Sequence, residues 1–147
     1  MAILLDTGFY AGLIHPKDEH HQDSISLLDQ IKDGLYGQVY TSNYIMTETA
    51  TLCSIRSERN PRVLATCQDY FIGTLKLAII IYARDVNDKE TWELFQKTSQ
   101  DASIKKPLSF IDCTNIILAK HYQIEYIASF DPHFDAWLTR IPSSLHG

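Results

Sequence analysis

Short, uninterrupted aliphatic runs alternate along this chain with longer segments whose apolar positions recur at helical spacing. The first run, Ala2-Ile3-Leu4-Leu5, stops at Asp6, and residues 7–14 continue with helix-like periodicity. Pro16 suits the first turn of a second helix, whose stripe of Ile25, Leu27, Leu28 and Ile31 ends before Gly34. Residues 38–41 read as a second short strand. Ser42 or Asn43 then caps a helix bearing Ile45, Met46, Thr49, Leu52 and Cys53, with Glu48 in its second turn. Pro61 starts a helix through Leu64, Cys67, Phe71 and Ile72, and Gly73 helps to end it before a strand over 77–82. Trp92, Leu94 and Phe95 mark a helix over 87–100, and 101–107 is a loop. Residues 110–122 are helical, and 125–129 form the next strand.

Strands alternating with helices of this length make βαβ units, hence an α/β fold whose mostly parallel sheet is covered on both faces. Functional groups in such sheets gather at the carboxyl ends of the strands. Asp6 and Asp131 fall there directly, and Asp112 enters through the first turn of a helix. Glu48 joins them if its helix passes the same edge.

Size and composition narrow the class. At 147 residues, 45% hydrophobic and 21% charged, with mean hydropathy -0.14, the chain is expected to be one globular domain over 1–147. Its longest wholly apolar stretch, residues 77–83, is too short to span a bilayer. The amino terminus lacks a basic leader and reaches an acid after four apolar residues, so a cytoplasmic location is expected. Cys53, Cys67 and Cys113 have no metal-ligand spacing and are expected to be buried free thiols. A net charge of -5 argues against a broad electrostatic grip on nucleic acid but leaves room for a local basic lip.

Aspartates in the apolar company of Asp6 and Asp112 are costly unless something cationic meets them. Asp6, Glu48, Asp112 and Asp131 meeting together would suit Mg²⁺ or Mn²⁺, hard ions that take oxygen ligands and leave positions for substrate phosphate and water. That chemistry is in-line hydrolysis of a phosphodiester with no covalent nucleophile. The plain alternative is that Asp6 and Asp112 are helix caps. Asp135 competes with Asp131 across Pro132-His133-Phe134, and the strand-end position favours Asp131. Arg56, Arg59 and Arg62 could clamp an RNA backbone, although a solvated helix face paired with Glu58 is the favoured reading. His15, His20 and His21 read as a hydrated helix start, His133 as an exposed loop histidine, and Tyr70, Phe71 and Tyr82 as core.

Ile3-Leu4-Leu5-Asp6-Thr7, the helix-borne Glu48, Leu108-Ser109-Phe110-Ile111-Asp112, and Ile127-Ala128-Ser129-Phe130-Asp131 with Phe134 together resemble the PIN-domain nucleases, particularly the single-domain VapC-like toxins. The likeness covers nearly the whole chain, through motifs that are individually short but specific in order and spacing. It implies a three-layer α/β/α fold and an Mg²⁺- or Mn²⁺-dependent endoribonuclease. By the same resemblance Asp6, Glu48 and Asp112 are the core acidic ligands, and Asp131 binds a second metal or orients water. Thr7 and Ser129 fall where that family carries hydroxyls that orient carboxylates, while Gly8 departs from its frequent serine. The family also implies a homodimer and a small antitoxin protein covering the acidic site. Rival readings are a stand-alone RNA-processing PIN nuclease, a PIN-like module that binds RNA or protein without cutting, and an aspartyl-phosphate phosphatase. The last lacks its second acid, because Gly8 stands in that place.

Overall fold

Ile3, Leu4 and Leu5 have no exposed surface, so β1 (Ala2–Leu5) is covered on both faces, as an aliphatic run without alternation requires. The structure is a computed structural model describing residues 1–142; the remainder of the expected domain, 143–147, lies outside the described residues. Four further strands, β2 (Gln38–Ser42), β3 (Ile79–Ile81), β4 (Tyr126–Ala128) and β5 (Thr139–Ile141), join β1 in one sheet of order β3-β2-β1-β4-β5. Every pairing is parallel, in agreement with the expected α/β sheet.

Helices α1 (Thr7–Ile14), α2 (His21–Lys32), α3 (Asn43–Arg56) and α4 (Pro61–Ile72) pack against one another, and α5 (Asp88–Gln100) packs on α6 (Phe110–His121). The chain moves outward from β1 through β2 to β3, then returns to β4 on the far side of β1. Right-handed crossovers therefore put the first four helices on one face and the last two on the other. Because β2 and β4 flank β1 in opposite directions, a crevice opens at the carboxyl ends of β1 and β4.

Local chemistry sets the helix starts around that crevice. The Ser42 hydroxyl accepts the Ile45 N–H, and Asn60 accepts the Arg62 N–H just before Pro61. Caps of this kind stabilise a helix by about 1 kcal/mol each. Ser42 also donates to Asn115 Oδ1 at 2.6 Å, a fully buried bond that ties the start of α3 to α6.

Several expectations need correction. The second helix starts at His21 rather than near Pro16, because Asp18 accepts the His20 N–H at 2.8 Å and closes a turn first. Only Ile79–Ile81 of the third apolar run pairs as strand, and Tyr82 is 39% exposed rather than core. The edge strand β5 was not foreseen; at three residues it is too short for periodicity to declare it. The three cysteines are buried and free, as expected. No helix among the described residues is long and apolar enough to cross a membrane.

Candidate active site

Asp6 leaves the end of β1 as the residue before α1, yet its carboxylate makes no cap to that helix. It accepts instead from the Ser129 hydroxyl at 2.8 Å, across the β1–β4 seam, while the Asp6 N–H donates to Ala128 O at 3.1 Å. The cap reading of Asp6 therefore fails. Glu48 reaches the same place from α3, which packs on α1, and accepts from the Thr7 hydroxyl at 3.4 Å. Asp112 is the third residue of α6 and does act in a capping box, where its Oδ2 accepts the Ser109 N–H and its own N–H donates to Ser109 Oγ. Oδ1 of Asp112 has no hydrogen-bond partner among the described residues. Asp131 follows β4 by three residues, and its N–H donates to Ser129 Oγ. Ser129 thus links two of the acids.

All four acids line one cleft of about 380 Å³, together with Thr7, Ser129 and His133. Asp135 does not. It is held by a two-pronged pair with Arg140, Nε to Oδ1 at 2.9 Å and Nη2 to Oδ2 at 3.2 Å. That pairing answers the competition between Asp131 and Asp135 for a place in the cleft.

His133 was read as an exposed loop histidine, and the structure overturns this. A 3-10 turn over Pro132–Phe134 pins Phe134 in the core and turns the imidazole inward, leaving it 15% exposed. Nδ1 lies 2.6 Å from Asp131 Oδ1 and Nε2 lies 3.4 Å from Asp112 Oδ2. Neither contact has the alignment of a good hydrogen bond, and the ring acts on the acids through close polar approach together with its charge. The sequence signal was available in Pro132 before His133 and the apolar Phe134 after it.

The electrostatics follow from this arrangement. Burial pushes the Asp6 carboxyl up to about 6, with Asp112 adding repulsion and Ser129 partly opposing. Glu48 is raised by burial and then by Asp6 and Asp112. Burial also acts upward on Asp112, but His133 and Ser109 more than reverse it and hold this carboxyl below its ordinary range. Burial alone would lower His133, yet Asp112, Asp131 and Asp6 raise it. Three carboxylates therefore stand in one another's field with one imidazole as compensation.

Among the described residues no three His, Cys, Asp or Glu side chains stand in a geometry that would hold a metal ion as they are placed. The donor set nevertheless fits a hard divalent cation, because carboxylate oxygens dominate it and two of the acids, Asp6 and Glu48, are groups whose ionisation is opposed by burial and like charge.

The arginines separate. Arg56 Nη1 pairs with Asp18 Oδ2 at 2.8 Å, not with Glu58, and lines the rim of the cleft. Arg59 and Arg62 line no part of it. His20 stacks on Phe130 with ring centroids 4.0 Å apart, forming another part of the wall. His15 and His21 stay out of the lining.

Comparisons with known proteins agree with this architecture. The VapC ribonuclease of Archaeoglobus fulgidus is 28% identical over 134 residues, covering 91% of this chain and 80% of that protein. The structure of Mycobacterium tuberculosis VapC20, a toxin that cleaves the sarcin-ricin loop, superposes with a TM-score of 0.68 at 20% identity, over 91% of this chain and 93% of that one. VapBC2 from Rickettsia felis, solved with a DNA fragment from its promoter, gives 0.66 at 15% identity, over 95% and 97% of the two chains. FitAcB from Neisseria gonorrhoeae gives 0.65 at 18% identity, over 94% and 95%. These likenesses speak to the fold. The family model described as PIN domain matches residues 3–137, and by that match the chain belongs to the PIN domain family.

Proposed function

We propose that this PIN domain is a VapC-type endoribonuclease that hydrolyses RNA phosphodiester bonds with Mg²⁺ or Mn²⁺. The observation that carries the reading is the convergence of Asp6, Glu48, Asp112 and Asp131, from β1, α3, α6 and the turn after β4, in one cleft at the switch point of a parallel sheet. When bound there, a divalent cation supplies Lewis-acid activation of water and neutralises charge on the phosphate. Asp6, Glu48 and Asp112 would hold it, and Asp131 would serve a second ion or orient water. Ser129 fixes the Asp6 carboxylate and Thr7 steadies Glu48, each through a hydroxyl donor. His133, between Asp112 and Asp131, keeps both acids from drifting apart before substrate arrives.

Residues 1–147 act as one catalytic domain in the cytoplasm, as a homodimer restrained by a small antitoxin protein. An apolar groove of about 500 Å³ between α3 and α4, lined by Met46, Leu64, Phe71 and Ile72, supports a protein partner. The test is incubation of the purified chain with structured and single-stranded RNAs. Cleavage with Mn²⁺, abolished by EDTA and by Asp112→Asn, is expected. Intact RNA with Mn²⁺, or an Asp112→Asn variant that cuts as well as the parent, would sink the assignment.

A further inference from the structure

A second cavity, of about 840 Å³, adjoins the acidic cleft and is lined in part by His15, Lys17, Ser57 and Asn60. The two share Asp18, Glu19 and Arg56, so the Asp18–Arg56 pair forms the sill between them. Asp18 is 11% exposed and doubly engaged, accepting the His20 N–H through Oδ1 and Arg56 Nη1 through Oδ2. Arg56 is 46% exposed and makes no other hydrogen bond among the described residues. One prong of a planar fork is thus fixed on a partly buried carboxylate while its remaining donors stay open to the cavities. A guanidinium held this way is already oriented and loses little freedom on taking a further oxyanion.

On the nuclease reading above, we infer that this sill is a second-nucleotide subsite. Arg56 binds the phosphate next to the one being cut, and the RNA strand continues over the sill into the cavity of His15, Lys17 and Asn60. The acids make the cleft negative, so a phosphate lying beyond them is held by a cation of its own. Arg56 is the arginine at this rim, and Asp18 positions it. Arg59 and Arg62 line neither cavity and take no part.

The test uses the whole chain in EDTA, where no cleavage intervenes. Binding of a short, mixed-sequence, fluorescein-labelled single-stranded RNA is followed by anisotropy over a series of salt concentrations. Arg56→Ala is expected to weaken binding about tenfold and to make the slope of log affinity against log salt shallower by about 0.7, the value for one phosphate contact on a single strand. Arg56→Lys keeps the slope and regains part of the affinity, while Arg56→Gln, which removes the charge and keeps most of the side chain's length, is expected to lose the slope as Arg56→Ala does and carries the test if Arg56→Ala folds poorly. Arg62→Ala leaves the slope unchanged. An unchanged slope in Arg56→Ala overturns the subsite, as does an equal loss in Arg62→Ala. If the parent chain cuts no RNA with Mn²⁺, the nuclease reading fails while the slopes still decide Arg56. If it cuts and Arg56→Ala binds like the parent, the subsite alone fails.

Discussion

On the β1–α3 side of the cleft, Asp6 and Glu48 are met by hydroxyls; on the α6–β4 side, Asp112 and Asp131 are met by an imidazole. The acids are of the same kind and share one cavity, yet Asp6 and Glu48 are raised and Asp112 is lowered. A hydroxyl orients a carboxylate and supplies only a dipole, whereas a histidine drawn upward by its neighbours supplies a charge. The β1–α3 side is therefore where ionisation is left uncompensated by the protein itself. That is the side on which an added cation has most to gain.

The largest expected effect comes from removing the acid on which this asymmetry centres. Asp6→Asn should lower RNA cleavage at least ~100-fold, since several kcal/mol of metal-dependent stabilisation is lost with its ligand. The same change should make the metal-free protein more stable near neutral pH, by up to about 3 kcal/mol, because a desolvated charge raised from 3.8 to about 6 is no longer required. Thermal melts in EDTA beside a cleavage assay read both. A variant that loses activity and stability together would mean that Asp6 is merely structural.

The next effect is on pH dependence, where the two sides act in the same direction. The folded chain holds a proton on Asp6 between 3.8 and about 6 that the unfolded chain has released, so stability falls as pH rises through that window. His133 is raised above 6.5, and the stability it contributes is complete below that value and is lost as pH climbs through its folded pKa. Asp112, being lowered, contributes above its unfolded value and matters only when pH falls through its folded pKa. Chelated protein should therefore be more stable near pH 5 than near pH 8, by about 1.4 kcal/mol from Asp6, because pH 5 lies about one unit below its folded value, with His133 adding in the same direction. Mn²⁺ at about 100 times its dissociation constant should return about 2.7 kcal/mol at the higher pH. A flat profile in EDTA would break the comparison.

Ser129 lets the comparison be sharpened at a single hydroxyl. Its Oγ donates to Asp6 and accepts from the Asp131 N–H, so it is a joint between the two sides. Ser129→Ala should weaken Mn²⁺ binding about 10- to 100-fold by freeing the Asp6 carboxylate. Titration calorimetry would detect this, and an unchanged affinity would leave the hydroxyl with a packing role only.

How much of this was legible in the chain depends on whether the cause was local. β1 and the Asp6 turn were readable because four aliphatic residues before an acid leave few other conformations for a buried run. The Asp112 helix start was readable because Ser109 and Asp112 form a capping box within four residues. What was not readable depended on partners far along the chain. The inward turn of His133 requires Phe134 to find a core built by other strands, and Arg56 meets Asp18 at a separation of 38 positions. Glu48 needed the resemblance to be chosen among helical acids, since only the packing of α1 on α3 brings it to Thr7. The β5 strand is stabilised by pairing with β4 rather than by its own three residues.

The smallest expected effect separates two aspartates that the sequence left side by side. Asp135 is half exposed and spends both oxygens on Arg140, while Asp131 faces His133 and the cleft. Asp135→Asn should cost about 1 kcal/mol at most, the usual worth of a pair open to solvent, and should leave cleavage and Mn²⁺ affinity untouched. Asp131→Asn should do the reverse, with little change in melting and a clear loss of cleavage, because its charge serves the cleft and its capping of the His133 N–H survives in the amide oxygen. If the two variants behaved alike in the cleavage assay, the acidic site would have to be redrawn to include the Arg140 pair, and the β4 side of the comparison would lose its definition.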